Sequence, residues 1–316
     1  MSYAQFGTIA AADYNGLVGT NPNTTGGTLN TVWSTGGTSA GYGQTAEATV
    51  AVGDSVTATK WANLINKTAS AASHQGTSIS SVSAPVTGGL VTYLSAIPTN
   101  LTTIYTSRLN AATQGATTSN VIAYGSSWLN ALTFTHTVTF ANGDAARYFF
   151  NSGGQLKIAC SHTNVATPGN QLFNGLASNV GTVVMSAPTS GTITIASTSY
   201  NGITKIGGGG SAPTIATNSG YFAMTGSNAT VFTQIAGGAT TYVNSFISVI
   251  AKSNGTQGAN GDAGSVVTLY TVWDEVPDGL TVGSGSNVTV TAQAPETTNL
   301  ANTWGTISIS GSVSGS

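Results

Sequence analysis

Gly37-Thr38-Ser39-Ala40-Gly41 spells Gly-x-Ser-x-Gly, the spacing that throws a nucleophilic serine onto a strained turn between a strand and a helix. Thr35 and Gly36 before it are not an apolar strand, and no helical period follows. A chain with 41 glycines also produces such matches by chance. Cys160 and His162 fall two apart, on one face of a strand, where a thiol and an imidazole can act as nucleophile and base. No carboxylate can be assigned to orient the imidazole, and a lone cysteine ordinarily serves as a small buried apolar side chain. His74, His136 and His162 lack the short spacings of metal ligands. The acidic residues gather once, in Trp273-Asp274-Glu275-Val276-Pro277-Asp278-Gly279. There Asp274, Glu275 and Asp278 offer the hard oxygens that Ca²⁺ takes, against a plain reading as a solvated Pro-Asp-Gly turn. Asn260 and Asp262 form a sparser oxygen loop of the same kind. Facing carboxylates of the sort that cleave glycosides are not evident. The glycine run 207–210 lacks the Gly-Lys-Ser/Thr of a phosphate loop. These residues predict no catalytic site and no cofactor, and leave Asp274, Glu275 and Asp278 as the calcium candidate.

The charge content narrows the partners. Seven Lys+Arg and nine Asp+Glu in 316 residues amount to 5% charge and a net charge of −2, against about 25% charge in an average domain. Scattered cations cannot supply the cluster that nucleic acid or anionic lipid requires. No stretch approaches the roughly 18 apolar residues of a membrane span. Met1-Ser2-Tyr3-Ala4-Gln5-Phe6 shows no basic region followed by an apolar core, so no secretion signal is expected. One cysteine excludes an intramolecular disulfide framework. With 40% hydrophobic residues the chain is read as ordered, its surface wetted by Thr, Ser, Asn and backbone.

The elements that must position these groups fall into four segments. Residues 1–53 hold turn signals interspersed with aromatics (Tyr3, Phe6, Tyr14, Trp33, Tyr42) and read as an extended N-terminal arm lying on its own body or on a neighbouring subunit. Residues 54–115 read as a helical hairpin. Asp54 or Thr57 caps the first helix, Trp61, Leu64, Ile65, Thr68 and Ala72 share one face, and Gly76 ends it. The second helix runs through Leu90, Tyr93, Leu94, Ile97, Leu101, Ile104 and Leu109, with Pro98 kinking or splitting it. From about residue 120 the period becomes two. Leu132, Phe134, His136, Val138 and Phe140 alternate with threonines, Asn142-Gly143 reads as a hairpin turn, and Ala145–Phe150 reads as the returning strand. A first β-domain with a short helix is placed at 116–200 and a second at 201–316, with further strands read at 181–187, 191–197, 220–225, 229–235, 242–252, 264–273, 286–293 and 304–313. The fold class is mainly β: an arm and two-helix segment followed by antiparallel sandwich- or barrel-like layers. Arg147, beside Tyr148, Phe149 and Phe150, is either buried and satisfied by carbonyls or Asp144, or an interface donor.

The run Phe140-Ala141-Asn142-Gly143-Asp144-Ala145-Ala146-Arg147-Tyr148-Phe149-Phe150-Asn151-Ser152-Gly153-Gly154-Gln155-Leu156 resembles a segment of virion structural proteins of tailed bacteriophages, especially cyanophages. Two further stretches, Trp61–Asn66 and Gly220–Thr225 with Thr230-Val231-Phe232, are similar to the same group. The resemblance implies a non-enzymatic tail, neck or baseplate fibre-type subunit, located in the virion, with copies of itself and other virion proteins as partners. The alternatives it leaves open are a receptor-binding adhesin gripping host surface glycans and a capsid decoration protein. No catalytic residues carry over. Interface candidates are Tyr3, Phe6, Tyr14, Trp33, Arg147, Tyr148 and Phe149. A charge-poor surface fits this reading, because it lacks the self-repulsion that keeps copies apart.

Overall fold

The computed structural model describes residues 11–19, 27–37, 40–86, 95–237 and 242–315. Helices α1 (Ala11–Val18), α2 (Leu29–Trp33), α3 (Ala58–Gln75) and α4 (Ala96–Thr106) come first. Strands β1 (Gln114–Tyr124) and β2 (Ala131–Thr139), helix α5 (Gly143–Asn151), strand β3 (Gln155–His162) and helix α6 (Pro168–Val180) follow. The rest is strands: β4 (Thr182–Met185), β5 (Ile193–Ile195), β6 (Thr198–Tyr200), β7 (Ile203–Ile206), β8 (Thr214–Ile215), β9 (Ala229–Ile235), β10 (Phe246–Ser253), β11 (Val266–Asp274), β12 (Ser286–Pro295) and β13 (Ser308–Gly315). The fold is mainly β. One antiparallel sheet has the order β1-β12-β3-β4-β7, a second β13-β2-β11-β10-β9-β8, and β5-β6 form a separate hairpin.

The two large sheets enclose one core. Leu132, Phe134 and Val138 of β2, Val267, Leu269 and Trp273 of β11, and Ile247 and Val249 of β10 face Leu156 and Ile158 of β3 and Val288, Val290 and Ala292 of β12. Helix α6 fills the space between them. Its Phe173 stacks on Trp273, with ring centroids 5.8 Å apart, and meets Trp128 edge-on at 4.8 Å. The period-two reading of β2 holds, with every second residue from Leu132 to Val138 buried.

The division at residue 200 does not hold. β12, from the C-terminal part, lies between β1 and β3, and β2 lies between β11 and β13. Both sheets draw strands from both halves, so neither half can close a sandwich alone. The pattern 220–225, read as strand, is a short 3₁₀ turn at Tyr221–Ala223. β1 escaped the reading because it is an edge strand, solvent-accessible on both faces over much of its length, and so shows no alternation.

The N-terminal segment is corrected as well. Its described parts are not an extended arm. They form α1, α2 and a connecting stretch whose Tyr14, Leu17, Val18, Leu29, Val32, Trp33, Tyr42 and Val50 complete a helical core with Trp61, Leu64, Ala72, Ile97, Leu101 and Ile104. Apolar side chains that α3 and α4 cannot cover alone are buried this way. α3 begins and ends as read: Thr57 accepts from the Lys60 amide, and Gly76 closes it in the left-handed conformation at φ 67°. Pro98 sits in the first turn of α4, where its missing N–H has no intrahelical partner anyway, so it neither kinks nor splits the helix. Leu90, Tyr93 and Leu94 lie outside the described residues.

The largest correction concerns 143–151, which is the helix α5 and not a hairpin strand. Asn142 is its N-cap, and its Oδ1 accepts from the Ala145 amide at 2.8 Å. Asp144 occupies the first turn, where the helix dipole favours an anion. Gly143 is required by a close approach: a Cβ there would overlap the Asp262 carbonyl oxygen. Gly143→Ala is therefore expected to destabilise the protein by at least about 2 kcal/mol. An unchanged urea midpoint would show that the 259–263 loop moves aside at no cost.

Candidate functional site

The Arg147–Phe149 motif is buried inside the chain. Arg147 has no solvent exposure. Its Nη1 donates to the carbonyls of Thr35 and Ala40 at 2.6 Å each. Its Nε and Nη2 donate to Asp144 Oδ1 at 3.1 and 3.0 Å, and Nη2 reaches Asn260 Oδ1 at 3.5 Å. Asp144 also accepts from the Gly261 amide, and Asn151, one turn on, donates to the Gly41 carbonyl. One guanidinium thus joins α5, the 35–41 segment and the 260–261 loop. Of the two readings of Arg147, the buried donor satisfied by carbonyls and Asp144 is the one observed. Phe149 is fully buried, and Tyr148 and Trp33 are each 9% exposed. Tyr14 is buried against Trp61 and donates to Glu47. These four interface candidates serve internal packing. Tyr3 and Phe6 lie outside the described residues.

The chemical candidates are likewise engaged. Ser39 lies outside the described residues. The chain around it runs from α2 through an irregular stretch, so the strand and helix that make a nucleophile elbow are not there. Burial pushes the Cys160 thiol up to about 12, away from the thiolate a nucleophile needs. His162 hydrogen-bonds Ser286 Oγ through Nδ1 at 3.0 Å and Asn170 Oδ1 through Nε2 at 3.2 Å, leaving neither ring nitrogen for Cys160. Glu275 is fully buried and accepts from the amides of Gly279 and Leu280 at 3.0 and 2.7 Å, closing its own loop. Asp262 Oδ2 accepts from the Ala259 amide in the same manner. Among the described residues no three His, Cys, Asp or Glu are placed to hold a metal ion, so the calcium candidate at Asp274, Glu275 and Asp278 is not assembled. No described helix is long and apolar enough to cross a membrane. A cavity of about 160 Å³ between α3, α4 and residues 79–82 is lined by Ile65, Ile79, Val82 and Ile97. Its polar groups Thr68 and Asn100 are bonded to the Leu64 carbonyl and the Ser80 backbone.

Two buried histidines show how polar groups are treated. His74 Nδ1 meets Glu296 Oε1 at 2.9 Å. That bond, with those from Asn299 and the Thr298 amide, holds the Glu296 carboxyl down at about 2. It fastens the segment before β13 to α3. His136, on the inner face of β2, is buried, and burial lowers it to about 4 against the opposing pull of a hydrogen bond with the Asn120 backbone.

What the fold leaves outward is a wide neutral surface. On the outer face of the six-stranded sheet, Ser308, Ser310, Ser312 and Ser314 of β13 pair with Thr139, Thr137, Thr135 and Thr133 of β2. Beside this double hydroxyl ladder run Val266, Thr268, Tyr270 and Val272 of β11. Then come Lys252, Ile250, Ser248 and Phe246 of β10. Of these only Ser248 is buried. The charges, Lys252 and Asp274, stand at opposite ends of the face. The residue-by-residue reading missed this surface because each threonine is unremarkable alone, although Thr133-x-Thr135-x-Thr137-x-Thr139 was visible as the polar half of an alternating strand.

No family model matches the chain, and neither a curated protein nor a solved structure does.

Removing the guanidinium leaves Asp144 and two carbonyls without their donor. Arg147→Ala is therefore expected to cost about 3–5 kcal/mol and to open residues 34–44 to protease. A stability loss under 1 kcal/mol in urea denaturation would contradict the role given to Arg147. His136 predicts a pH dependence. Its folded value lies below the unfolded one of 6.5, so the unfolded state binds the proton first. Stability is then whole above pH 6.5 and falls by about 3 kcal/mol as pH drops towards 4. His136→Leu should shrink the loss in that window while keeping the acid loss between pH 4.5 and 2, where Glu296 takes its proton in the unfolded chain before the folded one. A profile unchanged by the substitution would exclude His136 as its source.

Proposed function

We propose that this chain is a non-enzymatic structural subunit of a tailed-phage particle, of the tail, neck or baseplate fibre kind, working as a symmetric oligomer. The observation that supports the reading best is the neutral outer face of the six-stranded sheet. A face of hydroxyls and half-exposed apolar groups, with charge only at its ends, can pack against a like surface without electrostatic repulsion and with little desolvation of ions. The internal fastening fits the same role. Arg147, Glu275, Glu296 and His162 are each hydrogen-bonded to hold segments together, which makes a rigid building block. The run Phe140–Leu156 carries the resemblance to virion proteins, and within this chain it holds α5 with Arg147.

A second reading, an adhesin for host surface glycans, draws on one feature. Tyr270, with Lys252 5.5 Å over its ring, lies on the open face, where an aromatic can stack on a sugar. A capsid decoration protein differs from the first reading only in position on the particle.

Purified particles provide the test. Antibody labelling followed by electron microscopy is expected to place the chain on the tail, neck or baseplate, at a copy number that is a multiple of the local symmetry. Its absence from purified particles would overturn the proposal, labelling over the head would favour decoration, and glycan binding abolished by Tyr270→Ala would favour the adhesin.

A further inference from the structure

The five-stranded sheet ends in β1, and that edge is unusually open. β1 has eleven residues and pairs with β12 along one side. Among the described residues no strand pairs with its other side, so a row of backbone N–H and C=O groups points outward there. From Thr117 to Tyr124 the register with β12 is unbroken, with the single irregularity confined to 114–117. Ala116, Thr117, Thr118, Ser119, Val121 and Ala123 are exposed, and Val121 reaches 61%.

Proteins normally blunt such edges with Lys, Pro, a bulge or a very short strand. The opposite flank of the sandwich does so: β7 has four residues and carries Lys205, and β8 has two. β13, at the near end of the other sheet, contains Gly311 and Gly315, which weaken a strand. β1 contains no charge and no proline. Its inner face is already occupied, because Ile122 packs over Gly311 and the Tyr124 hydroxyl over Gly315. The strand is therefore held in place while its outer face stays exposed and no described strand pairs with its second side.

We infer that the β1 edge is an interface at which a second copy of this chain adds its own β1, antiparallel, across a two-fold axis at Val121. The inference deepens the assembly reading above and rests on it. Only another extended strand complements a row of alternating donors and acceptors. A strand paired with itself antiparallel is self-complementary, as a two-fold interface requires. With the axis at Val121, the two most exposed apolar side chains of the edge face each other, Ser119 faces Ala123 of the second copy, and no charge is brought into contact. The two five-stranded sheets then become one continuous ten-stranded sheet.

Charge placed at the axis tests this. In sedimentation, the wild-type chain is expected to form a reversible dimer or a higher even-numbered oligomer. Val121→Lys and Val121→Glu should each raise the dissociation constant about tenfold or more, since like charges then stand directly opposite. An equimolar mixture of the two variants should recover the wild-type association as a heterodimer. Melting temperatures within about 3 °C of wild type would show that both variants fold. Val165→Lys, at a site 54% exposed near α6, should change nothing. A wild-type oligomer insensitive to both Val121 variants overturns the β1 interface while leaving self-assembly in place. A strictly monomeric wild type overturns it too, whatever the particle labelling shows. A charge-swap recovery by a chain absent from particles would uphold the interface and refute the virion reading.

Discussion

A guanidinium with no solvent exposure has to find every hydrogen-bond partner inside the protein, and Arg147 imposes that demand on three stretches far apart in sequence. The carbonyls of Thr35 and Ala40 come from beyond α2, Asp144 from the same helix, and Asn260 from the loop after β10. Neither the stretch after α2 nor the loop after β10 has regular structure of its own to hold it. The helical unit and the β-sandwich meet where the guanidinium binds, so its hydrogen bonds align the two cores as well as stabilising α5. Arginine suits the position because its planar fork serves several acceptors at once without losing its charge. Gly143 answers the same constraint from the other side, since the backbone of α5 approaches the Asp262 carbonyl too closely for any side chain.

The same economy of charge recurs elsewhere. Glu47 accepts from Lys67 at 2.7 Å and from Tyr14, tying α1 to α3. Glu296 ties the approach to β13 onto His74, and Glu275 closes the loop after β11. With sixteen charged residues in the whole chain, these few are placed where a strong hydrogen bond joins segments that apolar packing alone would leave loosely registered. Neutral hydroxyls and amides take over the outer surface. Of the charged residues, Glu47, Arg147, Glu275 and Glu296 are buried, and each fastens the inside.

The open edge of β1 and the hydroxyl face of β2 and β13 follow from one topological fact, that strands from both halves of the chain share each sheet. The shared pairing puts two long strands at the same side of the sandwich and leaves short, blunted ones at the other. The proposed pairing of copies through β1 would use this difference between the two sides.

Local chemistry alone was enough to specify α3 with its Thr57 and Gly76 ends, the alternating strand β2, most strands after residue 180 and the mainly β class. In each case the signal is a period or a cap carried by residues a few positions apart. The same information misled at 143–151. Asn-Gly suits a hairpin turn and an N-terminal cap equally, and the choice fell to contacts with Ala40, Asp262 and the core phenylalanines. It also failed for β1, whose two accessible faces erase alternation, and for the first fifty residues, whose short helices gain their stability from α3 and α4. Composition determined that charge would be scarce and surfaces neutral. Only the tertiary structure decided that Arg147, Tyr14 and Trp33 turn inward, that Glu275 and His162 are already bonded, and which edge stays open. Those outcomes depend on partners more than a hundred residues away in several cases, and no local pattern encodes a contact whose other half lies that far along the chain.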